Sequence, residues 1–426
     1  MQLQKADEIT EEESLQLQRK IHSVELLSPA GDWERLISAV SFGADAVYLG
    51  GSSYGMRTSS ANFTGEELKK AVDYAHERNV KVYLTCNTLP RNDELDSLPD
   101  FIREAARAGV DAFIVTDLGV FQTVRKYAPD TEIHVSTQAG IVNYVAANAF
   151  YEMGAKRVVL ARELTLKEIK EIREKTNPQL EIECFVHGAM CVSYSGRCLL
   201  SSYLNGRDSN RGDCSQPCRW KYYLMEEKRP GEYYPVIEGD TGSHILNASD
   251  MCMLEHIPEL VEAGITSFKI EGRAKSAYYT AVVTNAYRCA LDGFAQKASS
   301  DYRPEQWIID EVYKVSHRSY VPGFYYGRPE NGQNYDNGGY IRGWDIVAVA
   351  QSYQNHRLTV LQRNRFFQGD ELEVLQPGVR PYKVIVRDLQ NSDGCLVDTA
   401  PNPMQMFSFQ TDMPIPKGAI LRKEKI

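Results

Sequence analysis

The chain has 426 residues, of which 43% are hydrophobic and 25% are charged, and its formal net charge at pH 7 is −9. This composition is typical of a soluble globular protein with room for a large domain and a small one, and no apolar run is long enough for a transmembrane helix. The net negative charge argues against a protein that coats nucleic acid over its whole surface, but it is compatible with a local basic patch.

Residues 1–22 are predicted to form a polar N-terminal tail. The tail lacks the apolar core of a secretory signal, so we expect a cytoplasmic protein with no membrane association. In that compartment the nine cysteines are expected to be mostly reduced or bound to metal rather than paired in disulfides.

Eight short apolar runs between residues 23 and 300 alternate with helical patterns, which predicts the α/β fold class. Four runs follow a helical pattern that ends in glycine, at Gly43, Gly109, Gly154 and Gly264, and glycine is the expected helix stop. Eight such units predict a (β/α)8 TIM-like barrel over residues 23–300. A doubly wound sheet is the alternative, which the absence of a GxGxxG turn after the first run disfavours. The runs begin at Val24, Asp45, Val80, Asp111, Glu132, Arg157, Ile182 and Ser267.

Polar residues follow the predicted strands, at the carboxyl ends where the active site of such a barrel lies. Among them we predict His187, Glu271 and Asn87 as catalytic residues, and packing is an equally good interpretation of His187. The full set of strand-end residues is Asp32, Asn87, Asp117, Gln138, Arg162, Glu163, His187, Lys269, Glu271 and Arg273.

Three basic residues of this set are predicted to bind an anionic ligand: Arg162, Lys269 and Arg273. Lys269, Glu271 and Arg273 alternate along the last strand, so their side chains are expected to face the same side. A neutralised charge network is the alternative interpretation of this triplet.

Five cysteines lie within 62 residues, in a cysteine-rich insertion predicted for residues 188–255, and they are Cys191, Cys198, Cys214, Cys218 and Cys252. The insertion follows the seventh strand, so it is expected to lie over the mouth of the barrel. Thiols among glycine, serine, arginine and asparagine are typical of a soft-metal or iron–sulfur site, whereas structural thiols prefer apolar neighbours. The absence of a CxxC pair disfavours an ordinary zinc ribbon. A four-iron cluster needs only four of the five.

The same insertion contains basic residues beside aromatic ones in NGRDSNRGDCSQPCRWKY, and they are Arg207, Arg211, Arg219, Trp220, Lys221 and Tyr222. This combination suits single-stranded RNA, whose bases stack on aromatic rings. A loop that packs its rings on the barrel rim is an equally good interpretation.

The C-terminal part differs in kind. Residues 301–339 are predicted to form a connector, and residues 340–426 show short alternating strands typical of a small β-barrel. The latter region carries 11 Lys and Arg against 9 Asp and Glu, a net charge of +2. A mildly basic small barrel can bind the RNA backbone, but a solvated surface is the simpler interpretation.

The segment ECFVHGAMCVSYSGRCLLSS closely resembles the signature of the collagenase-like U32 peptidase family. The segments ELLSPAGDWERLISAVSFGADAVYLGG, HVSTQAGIVNYVAANAF and SFKIEGRAKSAYY resemble other characteristic segments of that family. NRGDCSQPCRWKY and SDMCMLEHIPELVEAGI resemble its branch of tRNA hydroxylation proteins, called TrhP. The resemblance extends over nearly the whole chain beyond the tail.

The resemblance implies hydroxylation at C5 of the wobble uridine of certain tRNAs, in a reaction that depends on prephenate and on a [4Fe–4S] cluster. Carried over by position, the cluster ligands are Cys191, Cys198, Cys214 and Cys252, and Cys218 is the alternative to Cys214 as the third ligand. The expected partners are tRNA, prephenate and a paralogous family member, since members can work as pairs.

Three alternatives stay open. Related members hydroxylate a ribosomal RNA cytidine or a ubiquinone precursor, so the substrate can differ. The chain can be a non-catalytic partner of a paralogue. A U32-type peptidase is disfavoured, because the sequence contains neither GxSxG nor HExxH.

Overall fold

A computed structural model of the chain describes residues 20–21, 23–56, 62–191, 193–220, 224–225, 233–234, 248–327 and 340–425. Most of the predicted N-terminal tail, Lys221, Tyr222 and residues 328–339 of the predicted connector lie outside the described residues. None of the described helices is both long and apolar enough to cross a membrane.

Eight parallel strands form a closed barrel, as predicted. Each strand pairs with its neighbours in chain order, and β8 closes the sheet by pairing with both β1 and β7. The strands are β1 (Glu25–Pro29), β2 (Ala46–Gly50), β3 (Lys81–Cys86), β4 (Ala112–Val115), β5 (Glu132–Val135), β6 (Arg157–Val159), β7 (Glu181–Ala189) and β8 (Ser267–Ile270). The short strand Asp250–Cys252 continues the sheet beyond β7 in the antiparallel sense, and Tyr320–Val321 pairs with it.

The helices cover the outside of the barrel, except α7 (Leu200–Asn205), which belongs to the cysteine-rich insertion, and a large apolar core lies between the outer helices and the strands. They are α1 (Trp33–Ser41), α2 (Gly65–His76), α3 (Leu98–Ala108), α4 (Leu118–Tyr127), α5 (Tyr144–Glu152), α6 (Leu166–Lys175), α7 (Leu200–Asn205), α8 (Ile257–Glu262), α9 (Ala277–Lys297) and α10 (Gln306–Tyr313). The four predicted glycine stops all have positive φ, between 81° at Gly264 and 103° at Gly154. This left-handed conformation ends the helix and is one that glycine adopts without steric cost.

Two of the polar strand-end residues have a structural role. Asp32 accepts a hydrogen bond from the backbone N–H of Arg35, and Asp117 accepts one from that of Val120. Each aspartate therefore caps the helix that follows its strand rather than serving a substrate.

An ion network occupies one end of the barrel interior. Arg157, which is only 3% exposed, donates hydrogen bonds to Glu25 (2.6 Å), Glu181 (2.6 Å) and Glu183 (3.0 Å). Nζ of Lys269 lies 2.6 Å from the carboxylate of Glu183. Although burial raises the pKa of Glu25, the Arg157 guanidinium lowers it overall to about 2. The buried carboxylates are therefore ionised and depend on these cations.

The C-terminal region is a half-barrel of antiparallel strands around its own apolar core. The strands are β9 (Trp344–Gln354), β10 (Arg357–Gln362), β11 (Phe366–Phe367), β12 (Glu371–Gln376), β13 (Val379–Ile385), β14 (Arg387–Gln390), β15 (Thr399–Ala400), β16 (Met406–Gln410) and β17 (Ile420–Glu424). The main sheet has the order β13-β12-β17-β9-β10-β16-β14. The two edge strands, β13 and β14, follow each other directly in the chain. The two edges of the sheet therefore lie close together, and the sheet curls into a half-barrel.

A buried ion pair joins the half-barrel to the helices of the large barrel. Arg422 donates from Nη2 to both carboxylate oxygens of Glu311 in α10 (2.6 and 2.7 Å) and from Nη1 to the hydroxyl of Tyr278 in α9 (3.3 Å). Arg422 and Glu311 are each at most 1% exposed. The pair with Glu311 and the bond to Tyr278 together hold the two parts in one orientation at this contact.

Candidate functional site

A cavity of about 230 Å³ opens at the carboxyl ends of the barrel strands. Strand-end residues form its walls, and the cysteine-rich insertion forms its remaining side. The wall residues used below are Asn87, Gln138, Arg162, Phe185, Lys269, Glu271 and Arg273. Cavities for drug-sized ligands usually measure roughly 300–1,000 Å³, so this one suits a nucleobase or a small acid better than a peptide segment.

Four of the five clustered cysteines line this cavity, and they are Cys191, Cys198, Cys214 and Cys218. None of these four described cysteines forms a disulfide, and each is at least partly exposed. The backbone N–H of Leu200 points at Sγ of Cys198 and that of Gln216 at Sγ of Cys214, both at 3.4 Å. Backbone N–H donors of this kind stabilise cluster sulfurs.

The donor set fits an iron–sulfur cluster, because four thiols on one cavity match the ligand number and softness that a [4Fe–4S] cluster requires. The thiols are not already drawn together, since the described residues include no group of three side chains arranged to hold a metal ion.

Cys252 lies elsewhere. It sits on the short strand that pairs with the end of β7, directly opposite His187, and it does not line the cavity. Burial raises the pKa of its thiol to about 12, and the sulfur contacts the hydroxyl of Tyr287. Cys252 is therefore the one predicted ligand that is not among the described residues lining the cavity, whereas Cys218, predicted as the alternative to Cys214, lines it together with Cys214.

Polar contacts fasten the insertion to the barrel rim. The backbone N–H and hydroxyl of Ser195 both donate to the carboxylate of Glu163, at 2.6 and 2.8 Å. Nε of Arg197 donates to the backbone carbonyl of Gln138 at 2.7 Å. Ser195 has a φ of 45°, in the left-handed region. Such strain persists because these neighbouring contacts hold the turn in place.

Two arginines predicted to contact RNA are engaged within the protein. Arg211 pairs with Glu94 and Arg207 with Asp213, both at 2.6 Å. Trp220 remains 43% exposed. The structure thus supports the interpretation of a loop fixed on the rim at least as well as that of a basic RNA-binding segment.

The three predicted anion-binding residues differ in how far their charged groups are already bound within the protein. Lys269 is neutralised by Glu183, and Arg273 donates to the hydroxyl of Thr85 at 2.7 Å. Arg162 donates to the backbone carbonyl of Ala189 at 2.9 Å, while its buried Nε has no partner. A buried donor without a partner costs about 1–3 kcal/mol. The Arg162 side chain is also 13% exposed, against 3% for Arg273, so Arg162 is the more accessible of the two arginines for an anionic ligand.

The carboxylate of Glu271 lies near Arg162, with Oε2 3.5 Å from Nη2. Glu271 is the only acidic residue among the described residues that line the cavity. The ring of Phe185 lies under the same guanidinium, 3.7 Å from centroid to Cζ. The two groups keep the guanidinium in one orientation.

His187 does not line the cavity. Its ring packs among those of Tyr279, Tyr287 and Tyr320, with centroid distances of 5.1–6.0 Å, and its Nε2 lies 3.3 Å from the hydroxyl of Tyr320. Burial lowers the pKa of His187 to about 3. The structure thus places it as a neutral packing residue, the second of the two sequence-based interpretations.

The depressed pKa of His187 predicts a loss of stability in mild acid. The unfolded chain binds a proton below pH 6.5 that the folded chain excludes until about pH 3, so stability falls as the pH drops through this window. Between pH 7 and pH 5 we expect His187 to contribute about 2 kcal/mol of this loss. Urea denaturation of wild type and His187→Gln at both pH values measures it. Equal losses in the two proteins would contradict the assignment.

Two family models match the chain: Peptidase family U32 over residues 31–335, and its C-terminal domain over residues 342–422. The tRNA hydroxylation protein P1 of Bacillus subtilis (strain 168) is 37% identical over 405 residues, 94% of this chain and 95% of that protein. An uncharacterized protease, MJ0090, of Methanocaldococcus jannaschii is 48% identical over 306 residues, 71% and 73% of the two chains. The 23S rRNA 5-hydroxycytidine C2501 synthase of Escherichia coli (strain K12) is 34% identical over 359 residues, 83% and 53%. The chain therefore belongs to peptidase family U32.

Proposed function

We propose that the chain is an RNA hydroxylase that acts at C5 of the wobble uridine of tRNA, in a prephenate-dependent reaction that needs a [4Fe–4S] cluster. The observation that carries the proposal is the grouping of Cys191, Cys198, Cys214 and Cys218 on one cavity with strand-end polar groups. The name of the Bacillus subtilis relative, which matches nearly end to end, supports tRNA as the substrate.

These four cysteines are the proposed ligands. When bound, the cluster supplies electron-transfer or Lewis-acid chemistry that protein side chains lack. The chain contributes the thiolates, the N–H donors at Cys198 and Cys214, and the rim contacts of Ser195 and Arg197 that fix the turn bearing them.

Arg162 is the proposed anchor for a carboxylate of prephenate. Its unpartnered Nε gains an acceptor on binding, and its stacking on Phe185 limits the directions in which the guanidinium can point. Arg273 lines the same cavity and is a second candidate, whereas Lys269 is already neutralised by Glu183 and contributes mainly to the barrel interior.

Glu271 is the proposed proton acceptor. Replacing the C5 hydrogen of uracil by a hydroxyl group is a two-electron oxidation, whose electrons would pass to an external electron acceptor through the cluster when it is bound. The proton that leaves C5 needs a general base within reach. The carboxylate of Glu271 lines the cavity, and its Oε2 lies 3.5 Å from Nη2 of Arg162.

The peptidase alternative finds less support. A hydrolytic site needs an activated nucleophile or a metal-bound water, usually with a histidine close by. No histidine lines the cavity among the residues that the structure describes, and His187 lies behind the wall. A ribosomal RNA substrate is the stronger second candidate, because the Escherichia coli relative is named for a cytidine in 23S rRNA.

Nucleoside mass spectrometry tests the proposal. In a bacterium that lacks its own tRNA hydroxylation proteins, with or without a co-expressed paralogue, the wild-type chain should restore 5-hydroxyuridine in tRNA. Cys198→Ala should not, whereas Cys395→Ala, which removes an exposed thiol of the half-barrel, should. Restored 5-hydroxycytidine in ribosomal RNA alone, or full activity of Cys198→Ala, would reject it.

A further inference from the structure

Two side-chain amides on the cavity wall have hydrogen-bonding groups that can reach a ligand in the cavity. Gln138 lies in the short turn Thr137–Ala139 after β5 and is only 9% exposed, yet its side-chain amide makes no hydrogen bond within the described part of the chain. The amide carries both a donor and an acceptor group, so it can donate to and accept from a ligand in the cavity.

The second amide, that of Asn87, has a fixed orientation. Its Oδ1 accepts a hydrogen bond from the backbone N–H of Met56 at 3.0 Å. Because a backbone N–H requires an acceptor, this contact assigns the oxygen to Met56 and leaves the NH2 group as a donor to the cavity. Asn87 therefore presents a hydrogen-bond donor and cannot reverse it without losing the bond to Met56.

The backbone around Gln138 is also held firmly. Arg197, the neighbour of Cys198, donates to its carbonyl, and the hydroxyl of Thr137 donates to the carbonyl of Leu160 at 3.0 Å. The Gln138 amide is thus positioned between the barrel wall and the insertion. An amide on a fixed backbone and a fixed donor on the same cavity are together suited to reading the edge of a planar ligand.

We propose that Asn87 and Gln138 read the Watson–Crick edge of the target base and that Asn87 selects uracil over cytosine. Uracil presents carbonyl oxygens on both sides of N3–H, so Gln138 can accept from N3–H and donate to one oxygen while Asn87 donates to O4. Cytosine places an amino group where uracil has O4, and two donors then face each other. The inference rests on the proposed function.

Holding the base by this edge leaves C5 uncovered, because C5 is not part of the edge that bears O4, N3 and O2. The reacting carbon is then accessible to the other residues that line the cavity, including Glu271. Asn87, predicted from sequence as catalytic, becomes a specificity-determining residue instead.

Asn87→Asp tests the inference with an almost isosteric change. The aspartate keeps an acceptor for Met56 and turns an acceptor, instead of a donor, toward the cavity. Affinities of the holoprotein are measured by fluorescence anisotropy for two anticodon stem-loops that differ only in uridine or cytidine at the wobble position. We expect wild type to favour the uridine loop by at least about tenfold and Asn87→Asp to abolish or reverse this preference. The ratio of the two affinities cancels the general repulsion that an added negative charge exerts on RNA.

The inference is overturned if Asn87→Asp keeps the wild-type preference or if wild type binds both loops equally. Neither result contradicts tRNA hydroxylation, which is tested separately by nucleoside mass spectrometry. Failure of wild type to bind either loop counts against the proposed function and the inference together. Gln138→Leu serves as a second variant, because it keeps the side-chain volume and removes both hydrogen-bonding groups. We expect it to weaken binding of the uridine loop about tenfold, and undiminished binding also overturns the inference.

Discussion

Cys218→Ser protein is expected to lose the iron–sulfur cluster, whereas Cys252→Ser protein is expected to keep it. Cys218 lines the same cavity as Cys191, Cys198 and Cys214, and Cys252 lies on a separate strand with its sulfur beside the hydroxyl of Tyr287. A cluster deprived of one of four thiolates is exposed to loss of iron, since a serine oxygen is a harder and weaker ligand for it. Iron content and visible absorption after anaerobic purification give the readout.

The Cys252→Ser variant is the matched control, because the two proteins carry the same substitution and differ only in its position. Thermal melting of both proteins shows whether either is misfolded. Retention of a full cluster by Cys218→Ser together with its loss in Cys252→Ser would restore the ligand set carried over from the sequence resemblance.

Arg157→Met is expected to destabilise the protein by about 3–5 kcal/mol, because it leaves buried carboxylates without their cation. Glu183 is 0% exposed and Glu25 is nearly buried, and both accept hydrogen bonds from this one guanidinium. The free energy of unfolding from urea denaturation at pH 7 gives the difference from wild type.

Arg103→Met is the control for this experiment. Arg103 also pairs with a carboxylate, that of Asp100 at 2.7 Å, but both side chains are well exposed. An exposed pair contributes about 0–1 kcal/mol, so this substitution should have a small effect. Comparable effects of the two substitutions would show that the interior network is not what holds this end of the barrel together.

The barrel could be predicted because the sequence patterns that specify its strands and helix ends are local. Strands buried on both faces appear as apolar runs, and a glycine such as Gly43 or Gly109 marks the point where the preceding helix must end. The half-barrel was less predictable. The strand β17 contains Arg422, whose burial depends on Glu311 of the large barrel, and a charged residue at an inward position hides the strand pattern.

The candidate site was predictable only in outline. Proximity of the strand ends to the cysteine insertion follows from chain order, but side-chain direction does not. The register of β7 and β8 shifts after Lys269, so that His187 pairs with Ile270 and faces the tyrosines instead of the cavity. Such an irregularity reverses the alternation of faces and leaves no mark in a single sequence.

The choice among five cysteines also depended on tertiary structure. The sequence left Cys214 and Cys218 open as the third ligand, and the structure places both on the cavity, whereas Cys252 lies on the short strand that pairs with β7. Similarly, the orientation of the Asn87 amide is set by Met56, a contact that spans 31 positions in the chain.

The most direct test of the central claim, that the cavity is an iron–sulfur centre, is the iron and sulfide content of anaerobically purified wild-type protein with its visible spectrum. We expect about four irons and four sulfides per chain and broad absorption typical of a [4Fe–4S] cluster. Protein that contains no iron, or zinc in its place, would contradict the account and return a structural or hydrolytic role for the cysteines to consideration.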